Sequence, residues 1–244
     1  MNILAIDSSG LTAAVAVMTD GKLAAEYTVN NKKTHSQTLL PMIDEVMRAS
    51  GLETKQLDCI AVSRGPGSFT GLRIGSATAK GLGLALDIPV AEVSSLEALA
   101  YNLYGNEGCI ICPIMDARRQ EVYTAAYEFI PVTDGEKTGS YELKQVIEEK
   151  ACPLDELLSE LEKTEKKVIF NGDGVPVNRD HIVKRFKQKF SFAPETLLLQ
   201  KASSVAALGE LIYRNGKTVN ADEHVPVYLR KSQAEREREA ENEQ

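Results

Sequence analysis

The chain has 244 residues, 43% of them apolar, and a formal net charge of −7. This length can bury one large core or two of about 100 residues each, and we expect two. The net negative charge excludes a protein that binds nucleic acid by itself through an extended basic surface. Any function that involves nucleic acid therefore needs a partner. No apolar run approaches the roughly 18 residues of a membrane span and no basic segment leads the chain, which predicts a cytoplasmic protein without membrane contact.

The chain opens with two apolar segments joined by a turn at Asp7, Ser8, Ser9 and Gly10, which predicts a β-hairpin with an acid at its tip. A third strand follows the turn at residues 20–22, so three antiparallel strands precede the first helix. Asp, Ser and Gly form turns on their own account. The functional alternative is that the turn's N–H groups and hydroxyls bind a phosphate while Asp7 holds a hydrated Mg²⁺.

Residues 35–48 have helical periodicity, with Thr34 or Ser36 as N-cap and Gly51 at the end. The apolar residues cover an arc of roughly 160°, wider than the roughly 100° that one core face needs. We expect part of this arc to contact a partner; the alternative is a helix wedged between the sheet and a second helix. The candidate contacts are Leu39, Met42, Ile43 and Val46. His35, at the helix start, is predicted to cap the helix or lie at the surface.

Residues 62–86 predict a strand, a loop and a helix, because a short apolar run stops at Gly65-Pro66-Gly67 and restarts as a long segment of small residues. Ser68 or Thr70 is the expected N-cap. Such a loop presents N–H groups to an anion or to a partner's loop, unless it is an ordinary strand-to-helix turn. Gly65 and Gly67 therefore join Asp7, Ser8 and Ser9 as candidate contacts of a phosphate or nucleotide.

Small residues recur every four positions along this predicted helix, at Gly71, Gly75, Ala79 and Gly83. They form a stripe with almost no side chain along one side of the helix. Because a helical glycine costs roughly 0.5–1 kcal/mol relative to alanine, close packing must offset the loss. We predict that this stripe, together with Leu72, contacts a partner helix.

The second half begins as the first did, with an apolar strand, an acidic turn and another strand, and Asp116 stands 109 residues after Asp7. This weak repeat predicts a duplicated α/β domain with a cleft between the copies. We expect a first domain at 1–105, a second at 106–230 whose C-terminal part packs back on the first, and a charged disordered tail at 231–244. The turn arginines, Arg118 and Arg119, would meet an anion or a carboxylate, or lie exposed.

Cys109 and Cys112 form the one close cysteine pair. They lie in a predicted strand, where an odd spacing sends side chains to opposite faces, and no second pair completes four ligands. We therefore expect neither a metal nor a redox site.

Four segments, LAIDSS, GPGSFTGLRIG, DARRQEVY and PVYLR, resemble in this order the bacterial TsaB (YeaZ-type) family over residues 1 to about 230. The resemblance implies an actin/hexokinase/Hsp70-like α/β fold of two similar domains around a cleft. It also implies a non-catalytic subunit of the pathway that installs threonylcarbamoyl on adenosine 37 of tRNA. The implied partners are a TsaD-like transferase subunit and a TsaE-like ATPase, with a homodimer when alone and tRNA reached through the complex.

The resemblance implies a dimer face built from the helices at 35–48 and 69–86. No cofactor is firmly implied, and ATP or ADP with Mg²⁺ is a candidate in the assembled complex. TsaD-like enzymes carry a His-x-Glu-Gly-His metal motif where this chain has Ser94-Ser95-Leu96-Glu97-Ala98, so no catalytic or metal-binding residue is expected. The alternatives are an ATP-dependent phosphotransferase that uses Asp7, with a glycine turn at 171–174, and a metallopeptidase, which the missing histidines disfavour.

Overall fold

The computed structural model describes residues 1–30, 34–118, 120–133 and 139–230, so Arg119 and the predicted tail at 231–244 lie outside the described residues. The first sheet has the strand order β3-β2-β1-β4-β5. Its strands are β1 (Asn2–Asp7), β2 (Ala13–Thr19), β3 (Lys22–Val29), β4 (Cys59–Gly65) and β5 (Val90–Ser94). β1, β2 and β3 pair antiparallel, whereas β4 and β5 run parallel to β1. The predicted opening of three antiparallel strands is confirmed.

The second sheet repeats this plan, with the order β8-β7-β6-β9-β10. Its strands are β6 (Cys109–Asp116), β7 (Glu121–Pro131), β8 (Tyr141–Pro153), β9 (Lys167–Asn171) and β10 (Phe190–Phe192). The two antiparallel and two parallel pairings fall in the same places as in the first sheet. Each half is therefore a five-stranded unit in which the first strand is central, and the predicted two-unit fold of the actin/hexokinase/Hsp70 type is confirmed.

Helices cover both faces of the first sheet. The α-helices of the described residues are α1 (His35–Ser50), α2 (Phe69–Leu86), α3 (Ser95–Tyr101), α4 (Leu154–Glu162), α5 (Gly174–Arg185) and α6 (Ala202–Arg214). Of these, α1, α2 and α6 pack on the first sheet. Residues of β1 alternate between the two sides: Leu4 and Ile6 pack with α1, while Ile3 and Ala5 pack with α6. Although α6 follows the second sheet in sequence, it packs on the first.

The predicted ends of α1 and α2 are largely as observed. Gly51 ends α1 with a φ of 71°, a conformation that glycine adopts without strain. The Ser68 hydroxyl accepts the N–H of Gly71 at 3.3 Å and caps α2. Thr34 is the N-cap residue of α1 but its side chain makes no capping hydrogen bond.

The second core fills the space between the second sheet and helices α3, α4 and α5. Phe170 is one of its fully buried aromatics, and the rings of Phe186, Phe190 and Phe192 lie 5.5–6.2 Å from it. All four cysteines are free thiols, and burial raises the pKa of Cys112 to about 12. No helix among the described residues has the length and apolar character to cross a membrane.

The segment after α6 crosses the first sheet and ends between the two sheets. Val219 pairs with Val90 at the sheet edge, and Lys80 donates to the carbonyl oxygen of His224 at 3.0 Å. The N–H of Val227 then donates to the carbonyl oxygen of Arg64 at 2.7 Å. The last described residue, Arg230, reaches the turn that follows β6.

Candidate functional site

The candidate site is the cleft where the carboxyl ends of β1 and β4 face those of β6 and β9. Ligands of open α/β sheets bind at these ends. The cleft has a volume of about 420 Å³, within the range of small-molecule sites. Its lining includes Ser9, Gly67, Phe69, Asp116, Asp173 and Arg230.

The hairpin turn after β1 forms one wall of the cleft, but its acid does not reach the cavity. Oδ1 of Asp7 accepts the N–H and the hydroxyl of Ser9 at 2.8 and 2.7 Å. Asp7 is fully buried, and its Oδ2 has no hydrogen-bond partner among the described residues. Burial raises the pKa of Asp7, while the nearby Ser63 hydroxyl and Ser9 oppose the shift. The expectation that Asp7 holds Mg²⁺ from the cleft is therefore not supported by its position.

The glycine stripe of α2 packs against this turn and not outward, which corrects its predicted orientation. A Cβ at Gly71 would collide with the carbonyl oxygen of Ser8, and one at Gly75 would collide with the Ser8 hydroxyl. That hydroxyl donates to the carbonyl oxygen of Gly71 at 2.8 Å. At the other end of the helix, a Cβ at Gly83 would lie 2.7 Å from Cβ of Ala221. The absent side chains thus admit the chain's own turn and C-terminal segment.

All nine predicted interface residues are buried inside the subunit: Leu39, Met42, Ile43, Val46, Gly71, Leu72, Gly75, Ala79 and Gly83. Most of the apolar arc of α1 packs on the sheet and on α2, as the alternative required, while Leu40 of the same arc is exposed. The outer faces of the two helices carry other residues. Leu40 is 59% exposed on α1 and Leu84 is 61% exposed on α2. Ala77 and Gly81 lie exposed on the same side of α2 as Leu84.

Of the five predicted phosphate contacts, only Ser9 and Gly67 line the cleft. Ser8 is turned toward α2 and Gly65 is buried. Gly65 has a φ of 120°, and a side chain there would collide with the carbonyl oxygen of Val227. The loop after β4 is therefore shaped by contact with the C-terminal segment, a contact that local sequence does not reveal.

The turn after β6 forms the opposite wall and repeats the first turn. Oδ1 of Asp116 accepts the N–H of Arg118 at 2.8 Å, and the Arg118 guanidinium lies 3.5 Å from Oδ2. Oδ1 of Asp173 accepts the N–H of Asp116 at 3.2 Å. Burial raises the pKa of Asp173 to about 6, and the negative charge of Asp116 adds to the shift. The Arg118 side chain is 84% exposed, so it lies at the surface as one alternative expected, and its one ion pair is with the neighbouring Asp116.

No group of three or more His, Cys, Asp or Glu side chains within the described ranges is placed to hold a metal ion. The segment at the TsaD motif position instead begins α3. The Ser94 hydroxyl accepts the N–H of Glu97 at 3.2 Å and contacts Glu149, while Ser95, Leu96 and Ala98 are buried. Burial raises the pKa of Glu97, and the charge of Glu149 adds to it.

The three histidines each have a structural contact elsewhere. Nε2 of His35 lies 3.0 Å from the carbonyl oxygen of Gly10, so His35 supports the first turn instead of capping α1. His181 contacts Asp155 at 2.8 Å, and the buried His224 contacts Glu92 at 2.6 Å. Asp7 and the three histidines do not line the cleft, so they are not placed to hold a magnesium-nucleotide there.

The C-terminal segment also lines the cleft, which the sequence did not predict. The Tyr228 ring lies 4.8 Å from that of Phe69, whose other neighbour is the Arg73 guanidinium at 4.2 Å. Arg230 donates to the carbonyl oxygen of Ala117 at 2.9 Å and pairs with Glu121 at 2.5 Å. The apolar and aromatic residues just before the charged tail were the available signal.

Comparisons with known proteins agree with the resemblance seen in the sequence. The family model described as TsaD, tRNA N6-adenosine threonylcarbamoyltransferase, matches residues 22–238. The chain is 35% identical, over 96% of both chains, to the tRNA threonylcarbamoyladenosine biosynthesis protein TsaB of Bacillus subtilis. It is 30% identical, over 94% of both chains, to the protein of that name from Haemophilus influenzae.

A solved structure described as YeaZ from Pseudomonas aeruginosa superposes with a TM-score of 0.73 at 28% identity, over 93% of this chain and 99% of that one. Another, described as an uncharacterized protein with similarity to peptidase YeaZ from the same organism, gives a TM-score of 0.76 at 28% identity, over 94% and 99%. The chain therefore belongs to the TsaB (YeaZ) family, within the wider group that the TsaD family model matches.

Proposed function

We propose that this chain acts in tRNA threonylcarbamoyladenosine biosynthesis, in the cytoplasm, as a non-catalytic partner of a TsaD-like transferase subunit, with a TsaE-like ATPase as a further member. The names of its relatives support the pathway. One observation carries the non-catalytic role: where TsaD-like enzymes have metal-binding histidines, this chain has a serine cap and buried residues that begin α3. The chain supplies no imidazole at that position for a catalytic metal.

The outer faces of α1 and α2 are the proposed contact surface. Leu40 and Leu84 are large apolar side chains that are more than half exposed on two helices in contact with each other. Ala77 and Gly81 have little or no side chain, so another chain can come close to the backbone of α2 there. A Cβ at Gly81 would meet no atom within 4 Å. Such a surface allows another helix to approach closely, and removing its apolar side chains from water stabilises the contact. We propose that it pairs with the transferase subunit in the complex and with a second copy when the chain is alone.

The buried glycine stripe gives this surface a fixed position. Because α2 lies directly on the hairpin turn, through the hydrogen bond from the Ser8 hydroxyl to Gly71, its orientation follows that of the first sheet. The helix is thereby presented in one orientation, which reduces the cost of ordering on binding. In this account the chain activates its partner by holding it in place, and every chemical step belongs to the partner.

The test is reconstitution of tRNA modification from a transferase subunit, an ATPase, tRNA and this chain. We expect modification to require the chain and to tolerate Asp7→Asn, which keeps an acceptor for the Ser9 N–H but removes the charge. Modification without the chain would contradict the proposal. Loss of activity in Asp7→Asn, with pairing and folding intact, would assign a chemical role to Asp7 and contradict the non-catalytic part.

Nucleotide binding separates this proposal from the phosphotransferase alternative. A phosphotransferase of this fold should bind Mg²⁺-ATP as an isolated chain in the micromolar-to-millimolar range typical of KM values. We propose that ATP or ADP with Mg²⁺ binds the assembled complex and not the isolated chain. Calorimetric titration of both samples is the measurement, and saturable binding to the isolated chain would favour the phosphotransferase.

A further inference from the structure

A cluster of exposed lysines lies at the amino-terminal ends of β9 and β10, at the opposite end of these strands from the cleft. Residues 163–189 hold eight of the 28 lysines and arginines of the chain against three acidic residues, although the whole chain has a net charge of −7. Two turns, at 163–167 and 184–189, contain six of the eight as exposed lysines. These six, the lysine patch, are Lys163, Lys166, Lys167, Lys184, Lys187 and Lys189.

The fold brings the two turns side by side. β9 and β10 pair parallel with Phe190 opposite Val168, so one residue earlier Lys189 stands opposite Lys167. The carbonyl oxygen of Lys189 accepts the N–H of Val168 at 3.0 Å, which holds this register. Like charges directly opposite each other on neighbouring strands are unfavourable. The pairing therefore concentrates positive charge at a point where folding alone gains nothing from it.

Neighbouring acids neutralise only part of this charge. Lys166 pairs with Glu128 at 2.5 Å, and Glu162 is held by Arg185 at 3.1 Å. Within the described part of the chain, five of the six patch lysines make no ion pair, namely Lys163, Lys167, Lys184, Lys187 and Lys189. The two turns contain a single acid, Glu165. The patch thus keeps a local excess of positive charge on an acidic protein.

We infer that the lysine patch binds the sugar-phosphate backbone of RNA, and, resting on the proposed function, that the RNA is the tRNA brought to the complex. Lysine ammonium groups bind phosphates as point charges and position a nucleic acid without reading its sequence. The patch lies on the second sheet, whereas the proposed contact surface lies on helices of the first, so both can be used together. A small patch also agrees with an acidic chain that binds nucleic acid only weakly without a partner.

The composition of the turns favours RNA over an anionic membrane. A surface that binds membranes places large apolar side chains beside its basic residues. Apart from lysines, the turns contain Thr164, Glu165, Arg185 and Gln188, and their one large apolar residue, Phe186, is buried. No such apolar side chain in the two turns is available to enter a bilayer.

The test compares two double variants with equal changes of charge. Lys167→Glu with Lys189→Glu reverses the centre of the patch. Lys22→Glu with Lys217→Glu reverses two other exposed lysines, one in β3 and one that follows α6. The probe is an unmodified tRNA transcript with adenosine at position 37, titrated by fluorescence anisotropy against the chain paired with the transferase subunit. The salt concentration is varied between about 50 and about 200 mM.

We expect the patch variant to bind RNA roughly fivefold more weakly per lysine at about 0.15 M salt, because each lysine releases about one counterion. The slope of log K against log salt should become shallower by about two, and the control variant should match the original chain. Equal affinity and slope in patch variant and original would overturn the inference. Vesicles of phosphatidylserine and phosphatidylcholine are titrated in parallel, and loss of vesicle binding with RNA binding unchanged would also overturn it.

A separate measurement distinguishes failure of the proposed function from failure of the RNA site. Pairing with the transferase subunit is measured without RNA, so a chain that does not pair counts against the proposed function alone. In that case the same variants are titrated with RNA as isolated chains at about 50 mM salt, where phosphate contacts are strongest. A weaker, shallower titration for the patch variant supports the RNA site, and identical titrations overturn it.

Discussion

Asp7 and Asp116 occupy equivalent positions in the two halves: Oδ1 of each accepts the main-chain N–H two residues later, from Ser9 and from Arg118, at 2.8 Å. The repeat thus extends from sheet order to single hydrogen bonds. The surroundings differ, since Asp7 is fully buried while 23% of the Asp116 side chain is exposed. The first turn has become part of the interior, and only the second offers its carboxylate to the cleft.

Asp173→Asn should stabilise the protein at neutral pH. A folded pKa of about 6, above the usual 3.8, means that the acid stabilises the fold when protonated and that this contribution is lost as pH rises toward 6. A shift of about two units corresponds to about 2–3 kcal/mol at pH 7.5. Asparagine keeps an acceptor for the N–H of Asp116 without the charge. Urea denaturation should show this gain at pH 7.5 and less than half of it at pH 4.5.

The exposed Asp180, in helix α5, which Asp173 precedes, supplies the control for that prediction. Asp180→Asn should change the free energy of unfolding by less than about 0.5 kcal/mol at both pH values, as surface substitutions usually do. A gain in Asp173→Asn that does not vary with pH would show that the Asp173 carboxylate carries no burial penalty.

Alanine in place of Gly75 or Gly81 should have opposite effects on stability. A Cβ at residue 75 collides with the Ser8 hydroxyl, so we expect Gly75→Ala to lower the free energy of unfolding by about 1–3 kcal/mol. A Cβ at residue 81 meets open space, so Gly81→Ala should raise it by about 0.5–1 kcal/mol. Denaturant unfolding of the isolated chain measures both. Equal stabilities for the two variants would place the stripe outside the core.

The sequence predicted the elements of this fold far better than their contacts. Turn residues and periodicity are local, so the first hairpin, the Ser68 cap and the strand repeat could be predicted. The four-residue spacing of glycines correctly required close packing on α2, but spacing alone does not say what approaches the helix. The answer depends on Ser8 and Ala221, which lie far from it in sequence. Likewise, the apolar and aromatic residues before the charged tail indicate that this segment packs somewhere, but not that Tyr228 and Arg230 reach the cleft.

Thiol labelling should distinguish Cys109 from the other cysteines. Burial raises the pKa of Cys59 and Cys112 to about 12 and that of Cys152 to about 11, so few thiolates form at these positions at pH 8. Cys109 is only partly buried. A disulfide reagent applied to the native chain should give one fast phase, which Cys109→Ser removes and Cys152→Ser leaves. Two fast thiols would instead indicate a reactive Cys109–Cys112 pair.

Pairing through the outer face of α2 is the central claim, and the affinity of this chain for the transferase subunit tests it most directly. Leu84→Glu places a charge on the proposed surface, and Leu211→Glu places one on α6, where the leucine is 40% exposed. Both sites are exposed, so both variants should fold. Calorimetry should give at least tenfold weaker pairing for Leu84→Glu, or about 1.4 kcal/mol, and unchanged pairing for Leu211→Glu. Unchanged pairing in Leu84→Glu would contradict the account.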